Sequence, residues 1–153
     1  MNPCPCGYAG DSRCQCTLDQ IQRYRSRISG PLLDRIDLCV QVPPVPLAEL
    51  GTPRNERDED SATVRARVLG ARRQSLMRAG RPNAEISTQE LERDCALGAP
   101  ERRWFESALE RLGLSARAYH RVLRVARTIA DLDGGTALLE REHLAEALQY
   151  RRL

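Results

Sequence analysis

Ser115-Ala116-Arg117-Ala118-Tyr119-His120-Arg121-Val122-Leu123-Arg124-Val125-Ala126-Arg127-Thr128-Ile129-Ala130-Asp131-Leu132 is the stretch on which the fold turns. Ser115 can cap a first turn, and Tyr119, Val122, Leu123, Ala126, Ile129 and Ala130 then follow at helical spacing as one apolar stripe. Arg117, Arg121, Arg124 and Arg127 recur at i, i+4, i+7 and i+10, which puts them on the opposite side. Four cations on one face without interleaved acids repel each other and favour an anionic partner. The stripe itself needs other helices to cover it.

The sequence on either side supplies them. Pro100 opens a helix whose Phe105, Ala108, Leu109 and Leu112 repeat at i, i+3, i+4 and i+7 before Gly113 stops it. Ser87-Thr88-Gln89-Glu90 spells a capping box, with Leu91 and Cys95 on the inner face. Ser61, after Asp58-Glu59-Asp60, starts a helix that Gly80 and Pro82 close, and after Gly134-Gly135 a last helix runs over Leu139 to Tyr150. Short loops between amphipathic helices make a small helical bundle over 61–153. Trp104 and Phe105 read as core packing, Cys39 and Cys95 as small buried hydrophobes, and His120 and His143 as helix-surface residues.

Upstream, Leu47 to Asp60 carries Gly51, Pro53 and five acidic residues and reads as a linker. Residues 1–46 form a separate region. In it, Leu18 to Ile28 is helical with Thr17 as N-cap, and Ser29-Gly30-Pro31 begins a second, short helix. Ile36-Asp37-Leu38-Cys39-Val40-Gln41-Val42 alternates apolar and polar, as a strand does, and Pro43-Pro44-Val45-Pro46 ends it. Arg35 stands at the corner between helix and strand, where a planar guanidinium can meet phosphate oxygens bidentately. Pairing of Arg35 with Asp34 or Asp37 is the local alternative.

Cys4-Pro5-Cys6 and Cys14-Gln15-Cys16 flank a turn, a four-thiolate arrangement suited to tetrahedral zinc; four reduced thiols in a surface hairpin is the plainer alternative. Six cysteines with no export signal point to a reducing cytoplasm. No apolar run approaches membrane-spanning length. The 24 basic residues are all Arg and face 21 acids, for a net charge of +3. That balance neither demands nor excludes nucleic acid, but a chain without Lys cannot contain a G-x-x-x-x-G-K-[ST] phosphate-binding loop. Nucleophilic catalysis has no support in local spacing.

Three separated segments resemble one family, the magnesium-chelatase-like AAA+ ATPases of the ComM/YifB type. They are Asn2-Pro3-Cys4-Pro5-Cys6-Gly7, then Arg27-Ile28-Ser29-Gly30-Pro31-Leu32-Leu33-Asp34-Arg35-Ile36-Asp37-Leu38, then Gly113 to Arg121 with Tyr150-Arg151-Arg152. The resemblance implies the C-terminal part of such a protein: a helical lid after the end of an α/β AAA+ core with one strand and a Cys-rich loop. It implies Arg35 as arginine finger, Arg117 as sensor-2 arginine, and Asn2 as the sensor-1 amide that orients the attacking water. For Arg121 and Arg124 it implies nucleotide or backbone-phosphate contact. ATP and Mg would serve the parent protein, a hexameric ring of identical subunits acting as a DNA motor in branch migration during recombination or natural transformation. Asn2 would fall inside a central strand and is expected to be disordered in this chain, which alone should hydrolyse nothing. Two other readings are a stand-alone zinc and helical module that grips nucleic acid without ATPase activity, and a chelatase motor that serves porphyrin metal insertion.

Overall fold

In the computed structural model, residues 2–43, 45–47 and 59–151 are described. They divide into two compact units, Met1–Ile36 and Asp37–Leu153. The linker expected over 47–60 falls largely on 48–58, outside the described residues. The fold is mostly helical, with a Cys-rich cluster near the N-terminus and almost no strand.

In the first unit, α1 spans Leu18–Arg25 and begins as expected: Thr17 Oγ1 accepts from Gln20 N while Gln20 Oε1 accepts from Thr17 N. The four-residue α2, Gly30–Leu33, has Pro at its first turn, where a missing N–H costs nothing. Neither helix buries a residue.

The second unit contains the bundle. The first of its helices, α3 (Ser61–Ala79), is capped by Asp60 Oδ1 on Thr63 N at 2.6 Å and ends at Gly80, whose φ of +68° is left-handed. A Cβ there would meet nothing within 4 Å, so the cost of Gly80→Ala is backbone strain alone. Urea titration should find that variant less stable by about 1–2 kcal/mol. A 3-10 turn over Asn83–Glu85 leads to α4 (Thr88–Asp94), which opens with the Ser87/Glu90 capping box. The bundle is completed by α5 (Ala99–Arg111), α6 (Ala116–Leu132) and α7 (Arg141–Gln149).

At the centre is α6, which packs against α3, α4, α7 and the 3-10 turn. Val122, Ala126 and Ala130 of α6 meet Leu144 and Ala147 of α7 within one core, all fully buried; the alanines let the two helices approach closely. Phe105 is fully buried, its ring 5.1 Å from that of Tyr119, and Trp104 packs partly buried against the same core. Leu97 and Leu139 form a single parallel bridge that pins the loop before α7 to the one before α5.

Two expectations fail here. Ile36 to Val42 does not form a strand: Leu38, Val40 and Val42 are exposed, and Cys39 N donates to Tyr150 O at 2.8 Å. Alternation gives a strand only where a neighbouring strand completes the ladder, and the described residues provide none. His143 is not a surface residue either. It is 6% exposed, and its Nδ1 accepts from Glu140 N at 3.1 Å, the role a Glu or Gln plays in a capping box.

Candidate functional site

The cationic face of α6 is not uniform. Arg117, in the first turn, is exposed and has no ion-pair or hydrogen-bond partner for its guanidinium among the described residues. Ser115 caps that turn through Ala118 N at 3.3 Å, leaving other first-turn N–H groups pointing the same way. Arg121, one turn on, pairs with Asp37. Arg124 gives both Nε and Nη2 to Ile86 O, at 3.0 and 2.8 Å. Arg127 is 1% exposed and so belongs to the interior rather than to the face opposite the stripe, which corrects the sequence reading.

Arg127 is held by Asp131. Its Nε donates to Asp131 Oδ1 at 3.2 Å and its Nη2 to Thr136 O at 2.8 Å. Asp131 also receives Arg78 of α3 bidentately, at 2.7 Å on each oxygen, and Asn83 Nδ2 at 2.8 Å. Asn83 Oδ1 in turn accepts from Ser75 Oγ at 2.8 Å and from Arg78 Nη2 at 2.7 Å. Burial pushes the Asp131 carboxyl up, but the hydrogen bonds from Arg78 and Asn83 and the charges of Arg127 and Arg78 more than offset it, and its pKa is lowered. Burial pulls Arg127 down against the charge of Asp131. The network ties α3 to α6 and so fixes the helix that carries Arg117 and Arg121. Sequence reading missed it, although Arg127 and Asp131 are an i, i+4 pair of opposite sign at the apolar end of the helix.

Beside the start of α6 lies a depression of about 330 Å³ lined by Glu106, Leu109, Glu110, Leu114, Ser115, Ala116, Tyr119 and His120. Its two carboxylates disfavour phosphate within it. An anion drawn to this end of the helix would meet Arg117, which is outside that lining.

The first unit holds the other candidates. Arg35 is exposed directly after α2, its N–H bonded to Leu32 O at 3.0 Å. Asn2 is described and exposed, with its amide near Gly7. Cys4, Cys6, Cys14 and Cys16 converge, with all four Sγ atoms within 4.8 Å of one another. Three of the separations are 3.3, 3.9 and 3.7 Å, whereas a tetrahedral zinc site with Zn–S of about 2.3 Å has S···S edges of about 3.8 Å. The donors fit such an ion in type, number and spacing. The Tyr8 backbone N–H, with help from Cys4, holds the Cys6 thiol down at about 6. At Cys16 the Cys6 N–H lowers the pKa, but the neighbouring thiols and burial prevail and push it up to about 11. The Cys6 thiolate forms readily, while Cys14 and Cys16 resist until a cation balances them.

Comparison with known proteins places these features. Residues 58–151 match the family model described as magnesium chelatase, subunit ChlI C-terminal, and residues 1–50 match that of magnesium chelatase, subunit ChlI. The chain belongs to the magnesium chelatase ChlI family. Within it, the chain is 46% identical over 153 residues to competence protein ComM of Haemophilus influenzae. It is 41% identical over 156 residues to YifB of Escherichia coli, and 37% identical over 155 residues to a protein of Mycobacterium tuberculosis. These alignments take in 99–100% of this chain but 30% of each relative, so the chain spans about a third of their length. The ChlI C-terminal match covers α3 to α7, the bundle built on the Asp131 network. The other match ends at residue 50 and takes in the Cys cluster and Arg35. Among the described residues, no helix is long and apolar enough to cross a membrane.

Proposed function

We propose that this chain is the finger-and-lid part of a ComM/YifB-type AAA+ ATPase, which it serves by placing two arginines against nucleotide phosphates. Family membership supports the class, and the observation that carries the reading is Arg117. It is the α6 arginine left without an internal partner among the described residues, and it sits at a helix N-terminus where backbone N–H groups also favour an anion. ATP with Mg, bound chiefly by a part of the protein that carries the phosphate-binding Lys, supplies the phosphoryl group. Arg117 holds phosphate oxygens from the lid, with Arg121 one turn behind it. Arg35 supplies positive charge where negative charge builds on the transferring group in a neighbouring subunit, and Asn2 orients the attacking water. A hexameric ring and movement along DNA in recombination or natural transformation complete the reading; the name of the H. influenzae relative, competence protein ComM, supports it. The four-cysteine cage holds structural Zn²⁺.

The stand-alone nucleic-acid module has less support on α6, because Arg124 and Arg127 are spent on the fold itself. In the full-length protein that carries this segment, Arg117→Ala should weaken ATP binding about 10- to 150-fold, the loss of a charge-assisted hydrogen bond. Fluorescent-nucleotide titration measures it. Unchanged affinity would remove Arg117 from the site. The isolated 153-residue chain should show no ATP hydrolysis, and activity in it would overturn the whole assignment.

A further inference from the structure

The N-terminal unit lacks the apolar core that normally holds a fold together. Among its described residues only Cys4 is buried, at 0% exposure, and neither α1 nor α2 contributes a buried side chain. Helices of eight and four residues are too short to persist in water unaided. Units of fewer than about 40 residues usually need a metal, disulfides or a partner to fold. The one concentration of chemistry here is the thiol cage.

The backbone around the cage is arranged as a support for it. Cys4 O accepts from Gly7 N at 3.0 Å, where Gly7 has φ +84°, and Asp11 O accepts from Cys14 N at 2.9 Å. Asp11 is gripped by Arg13, whose Nε and Nη2 donate at 3.0 and 2.8 Å while its guanidinium lies 4.5 Å from the Tyr8 ring centroid. The helix is then fastened to the cage at both ends. Its N-cap, Thr17, follows Cys16 directly, and Arg25 in its last turn donates from Nε to Pro3 O at 3.1 Å, next to Cys4. From there to Arg35 the chain is a run of consecutive turns: Ile28 N to Arg25 O at 3.1 Å, Leu32 N to Ser29 O at 3.0 Å, and Arg35 N to Leu32 O at 3.0 Å. Nothing apolar is buried along the way.

From this we infer that a tetrathiolate Zn²⁺ is the core of the N-terminal unit, so that metal binding folds α1 and α2 and thereby sets the presentation of Arg35. The inference rests on the zinc reading of the cage and adds what the ion does for the chain beyond it. Four thiolates satisfy a closed structural site with no open coordination position, and folding free energy in such units comes from the metal. The helical unit has its own apolar core, and its cysteines take no part in the cage. Metal loss should therefore leave it folded.

Two measurements on the purified 153-residue chain separate the inference from the reading beneath it. Metal analysis and Co²⁺ titration should give one ion per chain with the visible bands of a tetrahedral thiolate site, lost in Cys4→Ser/Cys14→Ser. Absence of binding would overturn the zinc reading and the inference together. Amide hydrogen exchange with and without a chelator should show protection over Gln20–Asp34 present with Zn²⁺ and lost without it, while α5 to α7 exchange at the same rate in both. One bound ion with unchanged exchange in α1 and α2 would keep the zinc site and overturn its role as the core. Arg25→Ala should retain the ion and speed exchange in the last turn of α1; unchanged exchange there would overturn the tie to Arg35.

Discussion

Replacing Arg35 with Ala in the full-length protein is expected to cut ATP turnover by on the order of 10³-fold or more while leaving ATP affinity within about a factor of three. The reasoning begins with position. Arg35 emerges exposed from a short hydrogen-bonded turn after α2, so truncating it should cost the fold little beside its effect on turnover. A guanidinium delivered to a neighbour's nucleotide contributes mainly as charge spreads over the transferring phosphoryl oxygens, which lowers turnover and spares ground-state binding. Arg35→Lys keeps the charge but loses the bidentate fork, and should fall between the wild type and Arg35→Ala. Mixing Arg35→Ala subunits with subunits whose phosphate-binding Lys is replaced should restore part of the activity, because an intact finger can then face an intact nucleotide site. Hydrolysis retained in Arg35→Ala would assign this arginine to local pairing.

Much of this was readable from residue order. Caps and breakers act through local geometry, so Thr17, Ser87/Glu90, Ser115 and Gly80 mark the helix ends in the sequence and in the structure alike. The Cys4–Cys16 cage was readable for a similar reason, since two C-x-C pairs ten residues apart need only a turn to meet. Two failures turned on partners distant in sequence. Alternation over Ile36 to Val42 describes a side-chain pattern and says nothing about whether a ladder neighbour exists. The periodicity of α6 assigns Arg127 to the polar side, but Thr136 O and Asp131, a carboxylate itself held by Arg78 49 positions upstream of Arg127, keep it inside. His143 is a local miss of another kind: its partner Glu140 lies three residues away, and its ring nitrogen accepts where Glu or Gln commonly does.

The largest stability effect should come from Asp131→Ala. Asp131 has a fully buried side chain that faces Arg127, itself 1% exposed, and a bidentate Arg78. Removing the carboxylate leaves Arg127 charged, buried and without its counter-ion, a change that costs about 3–5 kcal/mol. The loss would be measured by urea unfolding of the 153-residue chain. If that variant does not fold, Arg127→Met/Asp131→Leu provides the control. It removes both charges and fills the space, so it should recover most of the loss, since a buried pair is costly to break and cheap to replace whole. Failure of the pair to recover would mean that Arg78 and Asn83 need the carboxylate as much as Arg127 does. The acid limb gives an independent check. Because the Asp131 pKa is lowered on folding, its stabilisation is fully present above the unfolded carboxyl value of about 3.9 and disappears as pH falls through the depressed folded value. The gap in stability between wild type and Asp131→Ala should therefore be constant from about pH 5 to 8 and close only below about pH 4. A gap that closed near neutrality would place the titrating group elsewhere.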